Sequence, residues 1–211
     1  MKVHGEREYK IDIAGTEYGP DRIERAEISQ ELFSAPSVGG TVCAQLTVTF
    51  RPGEDPPRMA QVRPFARDAG QAAWVPLGIF WIDRRTEWSG RLEITCYDCM
   101  LKAEAEWIPD QVLEFPMSMA DASRVIAAAM GTELDERCSF HPGYTVDYPA
   151  NEYTMRQVLG YIAAAHGGNW IVTAAGKLLL APLFASMPPE TSLLIEENGS
   201  AITFGGVRIK V

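Results

Sequence analysis

The chain reads as an α+β fold, mainly β, with a barrel-like β domain at residues 1–97 followed by a small α/β region at 98–211 that carries two capped helices and hairpins. Three observations point there. Alternating apolar residues and tight turns fill the first half without a long helical repeat. The period changes at Asp98, where a cap residue opens a short helical stretch. Two later segments each place a hydroxyl cap three residues before an acid or amide and end in glycine.

The strand-rich half begins with "YKIDI" (Tyr9 to Ile13), which alternates with period two and is followed by the turn-forming run "GTEYGPD". Val42, Ala44, Leu46, Val48 and Phe50 form one apolar face of a strand that stops at Arg51-Pro52-Gly53. "EDPPR" is a connection that neither a helix nor a central strand accepts. "AQVRPFAR" continues the strand pattern, and "WVPLGIFWIDRRTEW" with "RLEITCYD" reads as one hairpin around Ser89-Gly90. That register sets Trp88 opposite Arg91, Thr86 opposite Glu93 and Arg84 opposite Thr95. It also groups Leu92, Ile94 and Cys96 on one face, and a small barrel or sandwich is the expected package.

In the second half, "DCMLKAEAEW" predicts a short helix capped by Asp98. "SMADASRVIAAAMG" predicts a helix with a Ser118/Asp121 capping box and a buried stripe of Met119, Ala122, Ile126, Ala129 and Met130. "TMRQVLGYIAAAHGG" repeats the design with Thr154 and Gln157, and buries Met155, Val158, Leu159, Ile162 and His166. Two helices solving one packing problem is the simpler account of that similarity, ahead of a duplication. "NWIVTAAGKLLLAPL" predicts a hairpin turning at Ala174 to Lys177, and "AITFGGVRIKV" a last strand. An end inside a strand suggests that the natural chain continues past Val211.

Composition narrows the function. A formal net charge of -9, with the basic residues scattered, disfavours nucleic acid. The longest apolar runs fall short of a membrane span, and the charged start is unlike a signal peptide, so a cytosolic origin is expected. Four cysteines without an export signal point to reduced thiols.

Cys96-x-x-Cys99 with Cys138-x-x-His141 is the sharpest candidate for chemistry, because paired ligands two residues apart suit tetrahedral zinc. Against it, Cys96 lies on an apolar strand face, Cys99 falls inside a helix, and no glycine shapes a knuckle. Structural thiols are the expectation, with no metal, cofactor or catalytic residue. His166 suits the negative end of its helix, His141 lies in the turn "HPGY", and His4 belongs to the charged start. Glu87 and Glu93 are expected to ion-pair with Arg84, Arg85 and Arg91 across the hairpin rather than act as a glycosidase pair. Trp74, Trp81, Trp88, Trp107 and Trp170 could line a sugar groove, although Trp81 and Trp170 fit a core better. A zinc-binding or hydrolytic enzyme domain and a carbohydrate-binding module are the rival readings.

Two segments resemble bacteriophage tail hub proteins. "PLGIFWIDRRTEWSGRLEITCYDCMLKAEAEW" is similar to the hub segment in which "G-x-(F/Y)-x-(I/V)-D" leads through a hairpin to "(I/L)-x-(A/C)-Y-D-x-(M/L)-x-K". "NEYTMRQVLGYIAAAHGGNWIVTAAGKLLLAPL" resembles the later hub segment, where a "T-x-R-x-(V/L)-L-x-x-I-A" helix precedes a hairpin with "(D/A)-G-K-L-x-L-x-P-L". The resemblance is to prophage baseplate or tail-tip hubs, most like those of Gram-positive bacteria. It implies a non-enzymatic virion structural protein with barrel-like domains, assembled as a trimer between the tail tube or distal tail protein and the tip or spike. Some relatives bear a peptidoglycan-cleaving domain downstream, for which this sequence has no room. Assembly in the bacterial host cytoplasm into the virion tail is the implied location.

Overall fold

A computed structural model describes residues 7–30, 37–53, 55–107, 113–148 and 152–183, together with the backbone of 203–204 and 207–208. Eight strands form one antiparallel sheet: β1 (Arg7–Ile13), β2 (Thr16–Tyr18), β3 (Ile23–Ser29), β4 (Gln45–Phe50), β5 (Gln61–Asp68), β6 (Val75–Pro76), β7 (Phe80–Trp88) and β8 (Arg91–Tyr97). They run in the order β2-β1-β5-β7-β8-β4-β3, with β6 paired to β5. The run "GTEYGPD" is more than a turn. Ala14 and Gly15 take positive φ, Asp12 accepts the Gly15 amide at 2.9 Å, and Thr16–Tyr18 returns along β1 as a strand.

The β7–β8 hairpin has the expected register at Trp88/Arg91, Thr86/Glu93 and Arg84/Thr95. Ser89 and Gly90 both take positive φ, as a two-residue turn of this hand requires. A bulge between Ile82 and Arg84 breaks the simple alternation, so Asp83 and Arg84 are both exposed. Ile11, Leu46, Val48, Phe50, Val62, Phe80, Ile94 and Cys96 are buried together on the sheet's inner face.

β2 and β3 are the two ends of the ladder yet consecutive in the chain. From Tyr18 to Ile23 the chain reaches at most roughly 17 Å, and both Arg22 and Ile23 amides donate to the Gly19 carbonyl at 3.1 Å. The Tyr18 ring meets the Phe50 ring of β4 edge-on at 4.8 Å. The sheet therefore curls until its edges approach. No ladder joins β2 to β3 among the described residues, so a closed barrel is not seen.

Beyond β8 a second core forms. Cys99–Glu104 is a 3-10 helix rather than an α-turn, capped by Asp98 and closed by Ala105 N–H donating to Lys102 O. Then follow β9 (Met117–Ser118), α1 (Met119–Ala129), β10 (Thr145–Val146), α2 (Met155–Ala165), β11 (Gly168–Val172) and β12 (Leu178–Pro182). Ser118 caps α1, but the expected box is incomplete: the Asp121 carboxylate accepts from the Ser118 hydroxyl at 2.6 Å. Thr154 and Gln157 form the full reciprocal box on α2.

The α1 stripe differs from expectation at one edge. Ala129 is exposed, while Ser123 and Ala127 are buried, the Ser123 hydroxyl satisfied by Met119 O at 2.8 Å. On α2, Met155, Val158, Leu159 and Ile162 are buried as expected, and His166 is half-buried. Both helices pack around Trp170, whose indole donates to Leu159 O at 2.8 Å. Among the described residues no hairpin follows α1 as β11–β12 follows α2. The tail forms two paired strands, β13 (Thr203–Phe204) and β14 (Val207–Arg208), in place of one; its other residues lie outside those described.

Candidate functional site

The four candidate metal ligands take up separate duties. Cys96 sits in the sheet core and Cys99 in the second core. The Cys138 thiol lies between Leu178 O at 3.5 Å and the Leu180 amide, which it accepts at 3.3 Å. His141 stacks on Tyr144, ring centroids 4.3 Å apart, and its Nδ1 accepts the Gly143 amide at 3.2 Å. Among the described residues no three His, Cys, Asp or Glu side chains are grouped to hold a metal ion. Burial pushes the Cys96 thiol up to about 12 and the Cys99 thiol up to about 11, which leaves both protonated and poorly nucleophilic.

The hairpin arginines choose partners outside the hairpin. Arg91 bridges Glu24 of β3 at 2.7 Å, a glutamate also held by Arg51 at 2.9 Å, and Arg85 pairs with Asp55. Glu93 accepts from the Thr49 hydroxyl at 3.3 Å. The expected pairing within the hairpin is therefore replaced by links from Arg91 to β3 and from Arg85 to Asp55. The tryptophans scatter too: Trp107 and Trp170 are buried, Trp81 packs against the second core, Trp74 lies under Arg67 at 4.4 Å, and Trp88 is exposed. His4 lies outside the described residues.

Two arrangements were not legible beforehand. The first is a polar junction between the cores. Asp98 accepts from the Ala44 amide at 2.8 Å, the Met100 amide at 2.9 Å and the Cys43 thiol at 3.4 Å. Arg156, from α2, donates to Thr41 O at 2.5 Å and contacts Glu104 at 2.6 Å. Asp98 was visible as a cap, but its second partner, Ala44, is 54 residues away. Burial raises the Asp98 carboxyl above the ordinary range and drives the Cys43 thiol to about 12, so this cluster is built for holding and not for attack.

The second is the sheet's seam. β2 covers β1 only at Ile11–Ile13, so among the described residues the outer edge of Arg7–Lys10 has no ladder partner, nor has the far edge of β3. A groove of about 570 Å³ runs between them, lined by Tyr9, Pro20, Ile23, Glu24, Arg25 and Ala26. Tyr9, 45% exposed, and Ile28, 38% exposed, are apolar groups flanking unpaired backbone. Among the described residues no helix is long and apolar enough to cross a membrane.

No protein-family model and no curated protein matches the chain. Among solved structures it is similar to the tail protein from Neisseria meningitidis MC58, with a TM-score of 0.58 at 17% identity over 92% of this chain and 57% of that one. It is similar also to the 43 kDa tail protein of prophage MuSo2 from Shewanella oneidensis, with a TM-score of 0.53 at 12% identity over 89% of this chain and 59% of that one. The chain thus spans under three fifths of the length of each tail protein. At such identities the likeness is one of architecture, and it runs through both cores: the chain shares its fold with tail proteins of bacterial and prophage origin.

Proposed function

We propose that the chain is a non-enzymatic structural part of a phage or prophage tail, placed in the hub or baseplate between the tail tube and the tip or spike. The observation that carries this reading is the fold shared with two tail proteins over about nine tenths of the chain. The open seam supports it. A curled sheet whose two edges carry no further strand among the described residues, with a groove of mixed charged and apolar lining between them, suits a strand supplied by a neighbour, which would complete a barrel-like wall. In this proposal residues 1–97 form the wall and 98–211 a buttress, and three copies surround the tail axis in the virion, assembled in the host cytoplasm.

Net charge opposes clustering of isolated chains at low salt, and screening within about 10 Å at 0.1 M relieves it. Light scattering is therefore expected to show association toward a trimer that strengthens with concentration and salt. Ala26→Lys with Ile28→Lys, on the exposed β3 edge, is expected to abolish it while leaving the monomer folded. A strict monomer at high concentration and moderate salt, with no binding to any tail component, would overturn the hub reading.

A further inference from the structure

The end of α2 and the loop of residues 138–146 are joined through two imidazoles in series. His166 is the C-cap of α2. Its Nδ1 lies 2.8 Å from the carbonyl oxygen of Ile162, and its Nε2 accepts the His141 amide hydrogen at 3.1 Å. One neutral tautomer satisfies both contacts, with the hydrogen on Nδ1 and the lone pair on Nε2. The His141 ring repeats the duty one step on, its Nδ1 accepting the Gly143 amide at 3.2 Å. Each imidazole thus spends a lone pair on the backbone of the same loop.

The ends of that loop are anchored separately, by the Cys138 thiol on β12 and by the strand Thr145–Val146, and its middle rests on ring contacts. Phe140 meets the His166 ring edge-on at 5.4 Å and Trp170 at 6.1 Å. Tyr144 stacks on His141 and meets His166 edge-on at 5.2 Å. Beyond it, the Tyr144 carbonyl accepts the Met119 amide at 3.0 Å, and Thr145–Val146 pairs with Met117–Ser118, so the loop grips the start of α1. The charged groups of the loop and its flanks are Asp135, Glu136, Arg137 and Asp147. Asp135 is engaged by Arg137 at 2.7 Å and Asp147 by the Thr145 hydroxyl at 2.8 Å. The faces of α2 and β11 beside His166 contribute Ile162, Ala163 and Trp170, and among the described residues no ion pair reaches either imidazole.

We propose that His166 and His141 form an acid-released latch that holds residues 138–146 against the end of α2. Protonating His166 turns Nε2 from acceptor to donor and sets one N–H against another at 3.1 Å. The cation keeps its bond to Ile162 O, where the negative end of the helix favours it, so the ring stays and the loop leaves. Protonating His141 removes the Gly143 contact in the same way. Acidification therefore removes both backbone contacts and favours opening. Opening would uncover Phe140 and the edge of Trp170.

Amide hydrogen exchange on the intact chain, corrected for intrinsic rates, tests this at about pH 7.5 and about pH 5. The His141, Gly143 and Met119 amides are expected to exchange at least about tenfold faster in acid, while Trp170 and Leu178 keep their protection. His166→Gln, which retains an acceptor but does not titrate, is expected to flatten the response at His141. Equal protection of His141 at both pH values, or an unchanged acid response in His166→Gln, would overturn the latch. So would imidazole nitrogen shifts in the wild type showing the hydrogen of neutral His166 on Nε2.

Discussion

The carboxylate of Asp98 accepts the amide hydrogen of Ala44 at 2.8 Å while its other oxygen caps the 3-10 helix at Met100. One side chain thereby fixes the start of β4 to the point where the chain leaves the sheet for the second core. Cys43 and, through Thr41, Arg156 join the same junction. A buried acceptor with several donors is costly to delete, because the donors are left unsatisfied.

Asp98→Ala is expected to destabilise the protein by about 3 kcal/mol in denaturant melts, since it leaves two backbone amides buried without acceptors. Burial raises the carboxyl in the folded state, so its contribution is fully present below the unfolded value and is lost as pH rises through the folded one. Asp98→Asn should therefore lose less relative to wild type at neutral pH than in mild acid. A cost that grows with pH would contradict burial as the dominant cause.

The α2 cap and stripe separate two energies. Thr154→Ala should cost about 1 kcal/mol, the usual loss of an N-cap acceptor, and Leu159→Ala roughly 2 to 5 kcal/mol as a cavity opens under Trp170. Urea melts in which Leu159→Ala matches wild type would refute the buried face.

Gly160 lies mid-helix, where alanine is ordinarily about 1 kcal/mol better. Here a Cβ would stand 2.9 Å from the Gly39 carbonyl oxygen, a backbone atom held by the Gly39 amide's bond to Gly168 O at 2.8 Å. Gly160→Ala is expected to lower the melting temperature despite its helix propensity. A stabilised variant would show that the 37–40 segment does not pack on α2 as described.

Thiol chemistry tests the rival metal reading. With Cys96 and Cys99 protonated and buried, iodoacetamide at neutral pH should leave both unmodified in the native protein and alkylate both in denaturant. Elemental analysis should find no zinc to lose in a Cys96→Ala/Cys99→Ala variant. About one zinc per chain, released in that variant, would promote the metal site.

What the sequence determined by itself was whatever short-range physics decides. Ser89-Gly90 specified a turn of one hand, and that turn dictated the pairs Trp88/Arg91 through Arg84/Thr95. Asp98, Ser118 and Thr154 marked helix starts because a cap acts within three residues of itself. The period of α2 named its buried residues, and strand alternation named Leu92, Ile94 and Cys96. The order of these local motifs is what resembled phage tail proteins, with two of which the chain shares its fold.

Only the tertiary structure decided the remainder. The strand β2 was hidden because three residues carry too little pattern to outweigh their turn-forming neighbours. The partners of Arg91 and Arg85, Glu24 and Asp55, come from other segments of the chain, which no local pattern in the hairpin records. Ala129 faces solvent while Ser123 is buried, because the position of α2 and Trp170, not the composition of α1, sets which edge of that helix is covered. The junction at Asp98, the seam between β1 and β3 and the pairing of His141 with His166 all join residues far apart in the chain. Such contacts depend on how the cores close on one another, and hydrophobic burial, being non-directional, does not record that in any local stretch of sequence.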